Sequence, residues 1–197
     1  AQLSAAVKTL GWIRAACGDN LTAIAGGCHA SGDAPSVLDV GFDAACVGEG
    51  ELTMLAVAAA FRAGRPLVGI PGLATRGAGG ADDGMAPERR REAVDLAELP
   101  PFPLGCWRAG PIEITRGCAH GCKYCQTPRL FGNEVRHRPP ETVAAAAADM
   151  ARRGMRDVRF TTPDAFAYGT SGKEPADPAA IEELLRRTGE AMRAEGV

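Results

Sequence analysis

The chain has 197 residues, with 22 basic and 24 acidic side chains and a formal net charge of −2. That balance argues against a nucleic-acid surface as its main business, so no nucleic-acid partner is expected. At 46% hydrophobic and 23% charged it reads as an ordinary globular chain, without the run of ~18 apolar residues that a transmembrane helix needs.

Three of the seven cysteines crowd between Cys118 and Cys125, which does not suit a secreted disulfide framework. A reducing, cytoplasmic setting is expected. The start, Ala1-Gln2-Leu3-Ser4, has neither an initiator Met nor a signal-peptide plan, so the chain is expected to begin inside a longer product.

Leu3, Ala6, Val7, Leu10 and Ile13 recur at helical spacing and predict an amphipathic helix. Leu21 to Ala25 reads as a buried parallel strand that stops at Gly26-Gly27. A short helix follows from Pro35 to Val40, then a second buried strand from Asp43 to Val47, ending at Gly48-Glu49-Gly50-Glu51. Leu52, Leu55, Ala56, Ala59 and Ala60 place one apolar face on a helix, and Leu67 to Ile70 reads as a third strand. This order predicts an α/β doubly wound sheet over residues 1–72.

Composition changes after Gly72. Residues 73–110 read as a linker: Gly77 to Gly84 is rich in Gly and Asp, Arg89 to Arg91 sit in a solvated charge run, and Leu99-Pro100-Pro101-Phe102-Pro103 is extended. A second α/β unit spans 111–197. Ile112 to Thr115 is its first strand, and Pro140 opens a helix faced by Val143, Ala146, Ala147 and Met150. Asp157 to Thr162 is the next strand. Asp177 caps a last helix with Pro178 at its first position; Ile181, Leu184, Leu185, Thr188 and Met192 line one side, with Glu182–Arg186 and Glu183–Arg187 pairs outside.

Cys118-Ala-His-Gly-Cys122-Lys-Tyr-Cys125 is the most informative stretch. Three thiolates at this spacing can converge on one metal centre from a single loop. Zinc sites usually pair Cys-x-x-Cys knuckles to reach four ligands, and ferredoxin-type loops supply four thiolates per cluster. Three local cysteines suit an iron–sulfur cluster with one iron left open, with a zinc loop or free thiols as the alternative.

The spacing resembles the radical S-adenosylmethionine (SAM) superfamily, in which Cys-x-x-x-Cys-x-x-Cys follows the first strand of a partial (β/α) barrel. An aromatic before the third cysteine is usual there, and Tyr124 fills that place. The resemblance implies that Cys118, Cys122 and Cys125 hold three irons of a 4Fe–4S cluster. The fourth iron would chelate SAM, and one electron would release a 5′-deoxyadenosyl radical. Tyr124 would lie near the adenine, or fill the underside of the loop. Where the family usually carries a Gly-Gly-Glu-like segment, this chain has Thr161-Thr162-Pro163-Asp164-Ala165, so Thr162 and Asp164 are the candidate cofactor contacts. His120 is expected to be loop filler. Arg136-His137-Arg138 is expected to be a solvated turn, with an anionic substrate or the SAM carboxylate as the alternative target.

Upstream, Gly26-Gly27-Cys28-His29-Ala30-Ser31 and Gly48-Glu49-Gly50-Glu51 resemble the later part of a cobalamin-binding domain of the type fused before radical SAM domains. There, paired glycines let the backbone approach the cofactor's nucleotide tail, so Gly26 and Gly27 are candidate cobalamin contacts. The Asp-x-His-x-x-Gly loop that supplies a cobalt-ligating His in many such domains is absent from this chain. His29 is expected to be a loop residue, and Cys17, Cys28, Cys46 and Cys106 small buried or loop thiols.

The resemblance covers the later half of the first domain and about the first third of a barrel. It implies a fragment of a radical SAM enzyme, inactive alone, whose cofactors are a 4Fe–4S cluster, SAM and cobalamin. The expected reaction is cobalamin-linked methylation or rearrangement at an unactivated carbon of a small-molecule or lipid-like substrate, with flavodoxin or ferredoxin as electron donor. The alternatives are a methylthiotransferase, disfavoured by its missing second set of cysteines, and a non-catalytic iron–sulfur or zinc module.

Overall fold

The computed structural model describes residues 2–18, 20–76, 93–102 and 109–197. The chain separates into two units, Ala1–Val94 and Asp95–Val197. Much of the expected linker, with Arg89, Arg90, Arg91 and Cys106, lies outside the described residues.

In the first unit, helix α1 (Gln2–Cys17) leads to β1 (Ile24–Ala25), α2 (Cys28–Gly32), α3 (Ala34–Asp39), β2 (Ala44–Cys46), α4 (Glu51–Arg62) and β3 (Leu73–Thr75). β1 runs parallel to β2, Ile24 opposite Ala44 and Ala25 opposite Ala45. The period-two alternation of β2 and its flank sends side chains to both faces. Ala45 and Val47 meet Ala30, Val37 and Leu38 of α2 and α3. Ala44 and Cys46 meet Val57 of α4 and Leu73. Helices therefore cover both faces of a small sheet.

Two expectations are corrected. The third strand is Leu73–Thr75 rather than Leu67 to Ile70, and it runs antiparallel to β2, with Cys46 opposite Leu73. Gly72 explains this. Its φ of +80° turns the chain against Thr53, where a Cβ would lie 2.5 Å from the hydroxyl oxygen, and its carbonyl accepts the Val47 N–H. The sheet is thus mixed. The buried face of α4 is Thr53, Val57 and Ala60, while Leu55 is 61% exposed. Thr53 is drawn inward because its hydroxyl donates to the Pro71 carbonyl at 3.0 Å. In α1, Leu10 is buried but Ile13 is exposed.

The second unit holds β4 (Ile112–Glu113), β5 (Thr115–Arg116), α5 (Thr127–Phe131), β6 (Arg136–His137), α6 (Pro140–Arg152), β7 (Phe160–Thr161), a 3-10 turn (Ala165–Ala167) and α7 (Pro178–Ala194). β4 pairs parallel with β7, and α6 lies between them in sequence, forming a β–α–β unit. β5 pairs antiparallel with β6. The expected strand Ile112 to Thr115 is therefore split. Ile114 stands at the division: its N–H donates to Thr161 and its carbonyl accepts from Arg138. The core joins Ile112, Val143, Ala147, Met150, Tyr168 and Leu184.

Both helix starts follow the sequence. Pro140 opens α6, and the Asp177 side chain accepts from the N–H groups of Ala179 and Ala180 ahead of α7. Leu184, Thr188 and Met192 are buried on α7, but Leu185 is 54% exposed. Arg187 pairs with Glu183 as expected, whereas Arg186 pairs with Glu183 and Glu190 instead of Glu182.

Candidate metal centre

The cysteine loop leaves β5 through Gly117, whose φ is +82°. A Cβ there would sit 2.0 Å from the Glu134 carbonyl oxygen, so the chain passes the turn before β6 at a distance only glycine allows. The Cys118 N–H donates to the Gly132 carbonyl at 3.3 Å. Further on, a turn brings the Cys125 N–H to the Cys122 carbonyl at 3.1 Å, and α5 begins at Thr127.

Cys118 and Cys125 are half-buried, Cys122 is exposed, and all three are free thiols. Hydrogen bonds from the Thr127 hydroxyl and main chain hold the Cys125 pKa below its ordinary value, which favours the thiolate that a metal needs. A hydrogen bond with Cys122 raises the Tyr124 phenol. The donor chemistry fits an iron–sulfur cluster: three free thiols on one loop, one of them biased to the thiolate. Among the described residues no three His, Cys, Asp or Glu side chains are already gathered around one metal position.

Tyr124 is 90% exposed, so it does not fill the underside of the loop. Asp164 follows β7 and caps the 3-10 turn, its Oδ1 accepting the Phe166 N–H at 3.0 Å. The Thr162 hydroxyl donates to the Asp164 carbonyl at 2.9 Å. His120 is more than filler: its Nε2 lies 2.9 Å from Asp164 Oδ2, and this contact is the first cause of the lowered Asp164 pKa. The cysteine loop and the candidate contacts after β7 are thus brought together, although 44 residues separate His120 from Asp164.

Arg136-His137-Arg138 is not a solvated turn. Arg138 is 2% exposed and donates to the carbonyls of Glu113, Leu96 and Leu99. His137 Nε2 lies 2.7 Å from the Thr170 carbonyl, which can only accept, so that nitrogen carries the proton. Its Nδ1 then accepts from the Thr115 hydroxyl at 3.1 Å. Beside the loop, Arg116 forms a two-pronged ion pair with Glu113 and lies over the Phe131 ring. The polarity of these residues predicted solvent; backbone carbonyls of Glu113 in β4 and of the turns at Leu96, Leu99 and Thr170 supply the partners instead.

In the first unit, Gly26 and Gly27 follow β1, and Gly27 has a φ of +90°. Gly26, Ala25, His29, Val37 and Phe42 help line a cavity of about 560 Å³ there. His29 lies on α2 rather than in a loop, because the helix starts directly after Gly27, and its Nε2 is 3.1 Å from the Ser36 hydroxyl. The Ser31 hydroxyl accepts the Gly48 N–H at 3.0 Å, joining the two Gly-containing segments.

A model of the radical SAM superfamily matches residues 112–194. The ribosomal protein uS12 methylthiotransferase RimO of Salinispora arenicola is 31% identical over 121 residues, covering 60% of this chain and 23% of that protein. The tRNA-2-methylthio-N(6)-dimethylallyladenosine synthase of Nocardia farcinica is 33% identical over 84 residues, covering 41% of this chain and 16% of that protein. Among solved structures, the radical S-adenosylmethionine methyltransferase TsrM of Kitasatospora setae, with tryptophan substrate and a SAM analogue bound, gives a TM-score of 0.62 at 21% identity. That match covers 87% of this chain and 33% of that chain. The same enzyme with cobalamin and a 4Fe-4S cluster bound gives 0.61 at 20% identity. The likeness shows a shared α/β fold. The chain spans about a quarter or less of the curated relatives it matches.

Proposed function

We propose that this chain is part of a radical SAM enzyme that cleaves SAM reductively at a 4Fe–4S cluster, a reading supported by the superfamily match over residues 112–194. The observation that carries the reading is three free thiols, Cys118, Cys122 and Cys125, on one loop that leaves β5 inside the matched segment. They would hold three irons and leave the fourth open to SAM. The bound cluster supplies the electron that breaks the SAM sulfur–carbon bond.

The chain's own part is positioning. Gly117 and the Gly132 carbonyl fix where Cys118 leaves the sheet, and Thr127 favours the Cys125 thiolate. The turn from Cys122 to Cys125 would supply the other two thiolates. Tyr124, Thr162 and Asp164 border the side that SAM approaches. Residues 1–75 would be the later part of a cobalamin-binding-type domain, since β3 closes its sheet, with the linker starting after β3 and 111–197 the start of a partial (β/α) barrel. Gly26 and Gly27 would approach cobalamin, and their place after β1 beside a cavity supports this.

The reaction on this reading is cobalamin-linked methylation or rearrangement at an unactivated carbon of a small or lipid-like molecule. It takes place in the cytoplasm, with flavodoxin or ferredoxin as electron donor. A methylthiotransferase is the second reading. The Salinispora match favours it, at 31% identity over 121 residues to a ribosomal protein uS12 methylthiotransferase.

The test is anaerobic reconstitution of the full-length protein, followed by SAM and dithionite. Formation of 5′-deoxyadenosine and methionine is expected; zinc without sulfide, and no cleavage, would reject the reading. Stoichiometric uptake of hydroxocobalamin separates the first reading from the second.

A further inference from the structure

The spacer between Cys118 and Cys122 is held from one side by the segment after β7. His120 Nε2 lies 2.9 Å from Asp164 Oδ2. Its neighbour Ala119 lies beside Gly172, where a Cβ would meet the Ala119 side chain at 3.2 Å. Asp164 is itself oriented: Oδ1 accepts the Phe166 N–H, leaving Oδ2 for His120. From the other side, the Gly132 carbonyl and the close approach at Gly117 hold Cys118. The turn from Cys122 to Cys125, by contrast, is held by local bonds, its Cys125 N–H reaching Cys122 and its Cys125 thiol reaching Thr127, while Cys122 and Tyr124 are exposed, as His120 is.

We infer that His120 and Asp164 form a clasp that sets the Cys118 arm of the loop in place before metal arrives, so that cluster assembly moves chiefly the turn from Cys122 to Cys125. Asp164 is then a positioning residue acting through His120. This rests on the cysteine-loop reading above. The physical reason is entropy: a loop already held at its first ligand loses less freedom when the remaining ligands close. Outer partners that orient metal-binding segments act in this way elsewhere.

The experiment compares the full-length protein with His120→Ala, Asp164→Ala, the double variant and Asp164→Asn, all reconstituted anaerobically. Loss of iron to a chelator is followed, together with the electron paramagnetic resonance signal of the reduced cluster with and without SAM. Each single alanine variant should lose iron roughly fivefold faster, the factor one hydrogen bond carries. The double variant should be no worse than Asp164→Ala alone, because that variant has already lost the His120 contact along with the Phe166 cap. Asp164→Asn keeps the oxygen that caps Phe166 and turns its amide N–H towards His120 Nε2, which a neutral imidazole can accept, so part of the retention should return. If Asp164→Ala abolishes the SAM-induced change in the signal while His120→Ala leaves it intact, Asp164 contacts SAM directly and the clasp is overturned. Unchanged iron loss in both single variants overturns it too. Wild-type protein that takes up no iron overturns the cysteine-loop reading, and the clasp with it.

Discussion

The Tyr168 hydroxyl donates to the main-chain carbonyl of Arg138 at 2.8 Å, and the two residues are 3% and 2% exposed. The Arg138 side chain donates in turn to the carbonyls of Glu113, Leu96 and Leu99. The pair thereby joins β4, the start of the second unit and the turn after β7. A guanidinium can stay buried here because carbonyl oxygens occupy its donors, replacing the water it gives up.

Tyr168→Phe should destabilise the protein by ~1–2 kcal/mol, since it leaves a buried carbonyl without its donor. Arg138→Met should cost more, about 3 kcal/mol, because several carbonyls lose their partner together. Urea unfolding at neutral pH measures both. Equal stability of Tyr168→Phe and wild type would show that water replaces the hydroxyl.

The same tyrosine predicts an alkaline limit. Burial, with a smaller contribution from Glu141, pushes the Tyr168 pKa from 10.0 up to about 12. The folded protein therefore holds the phenol proton where the unfolded chain has released it. Stability from this group is complete below pH 10 and falls as pH rises towards about 12. In Tyr168→Phe this component disappears, so its denaturation midpoint should fall less steeply over that window. Parallel pH profiles for the two proteins would contradict the assignment.

Replacing Cys118, Cys122 or Cys125 by Ala should each abolish stable iron and sulfide uptake, because three ligands leave no spare. Cys17→Ala, Cys28→Ala and Cys46→Ala should retain about four iron and four sulfide per chain. Iron and acid-labile sulfide analysis after reconstitution decides this.

Gly117→Ala should displace the start of the cysteine loop. The added Cβ would lie 2.0 Å from the Glu134 carbonyl oxygen, at a φ of +82°. Gly121→Ala is the control within the same loop, since its Cβ would meet nothing within 4 Å and its φ is not positive. Iron content should drop for the first and hold for the second. The cost at Gly117 combines a left-handed backbone, ~1 kcal/mol or more, with a clash against main chain.

The cysteine spacing, the glycine punctuation and the starts of α6 and α7 were legible in the sequence because they depend on neighbours. Asp177 reaches N–H groups only two and three residues on, and Pro178 suits a first turn wherever that helix packs. The order of helices and strands was equally legible, and it correctly put helices on both faces of the first sheet.

Tertiary structure alone decided the rest. His120 finds Asp164 across 44 residues, Tyr168 finds Arg138 across 30, and Ser31 finds Gly48 across 17. A polar side chain in sequence carries no sign of whether water or a distant carbonyl will satisfy it. Arg138 was therefore expected in solvent and is buried. The third strand was misplaced for a related reason: the apolar run Leu67 to Ile70 read as the strand and Leu73 to Thr75 as linker, whereas the turn at Gly72, pressed against Thr53, brings Leu73 to Thr75 antiparallel to β2. Local spacing determined which residues could form a metal site. The long-range hydrogen bonds determined how that loop is held, because they exist only once distant backbone is brought within 3 Å.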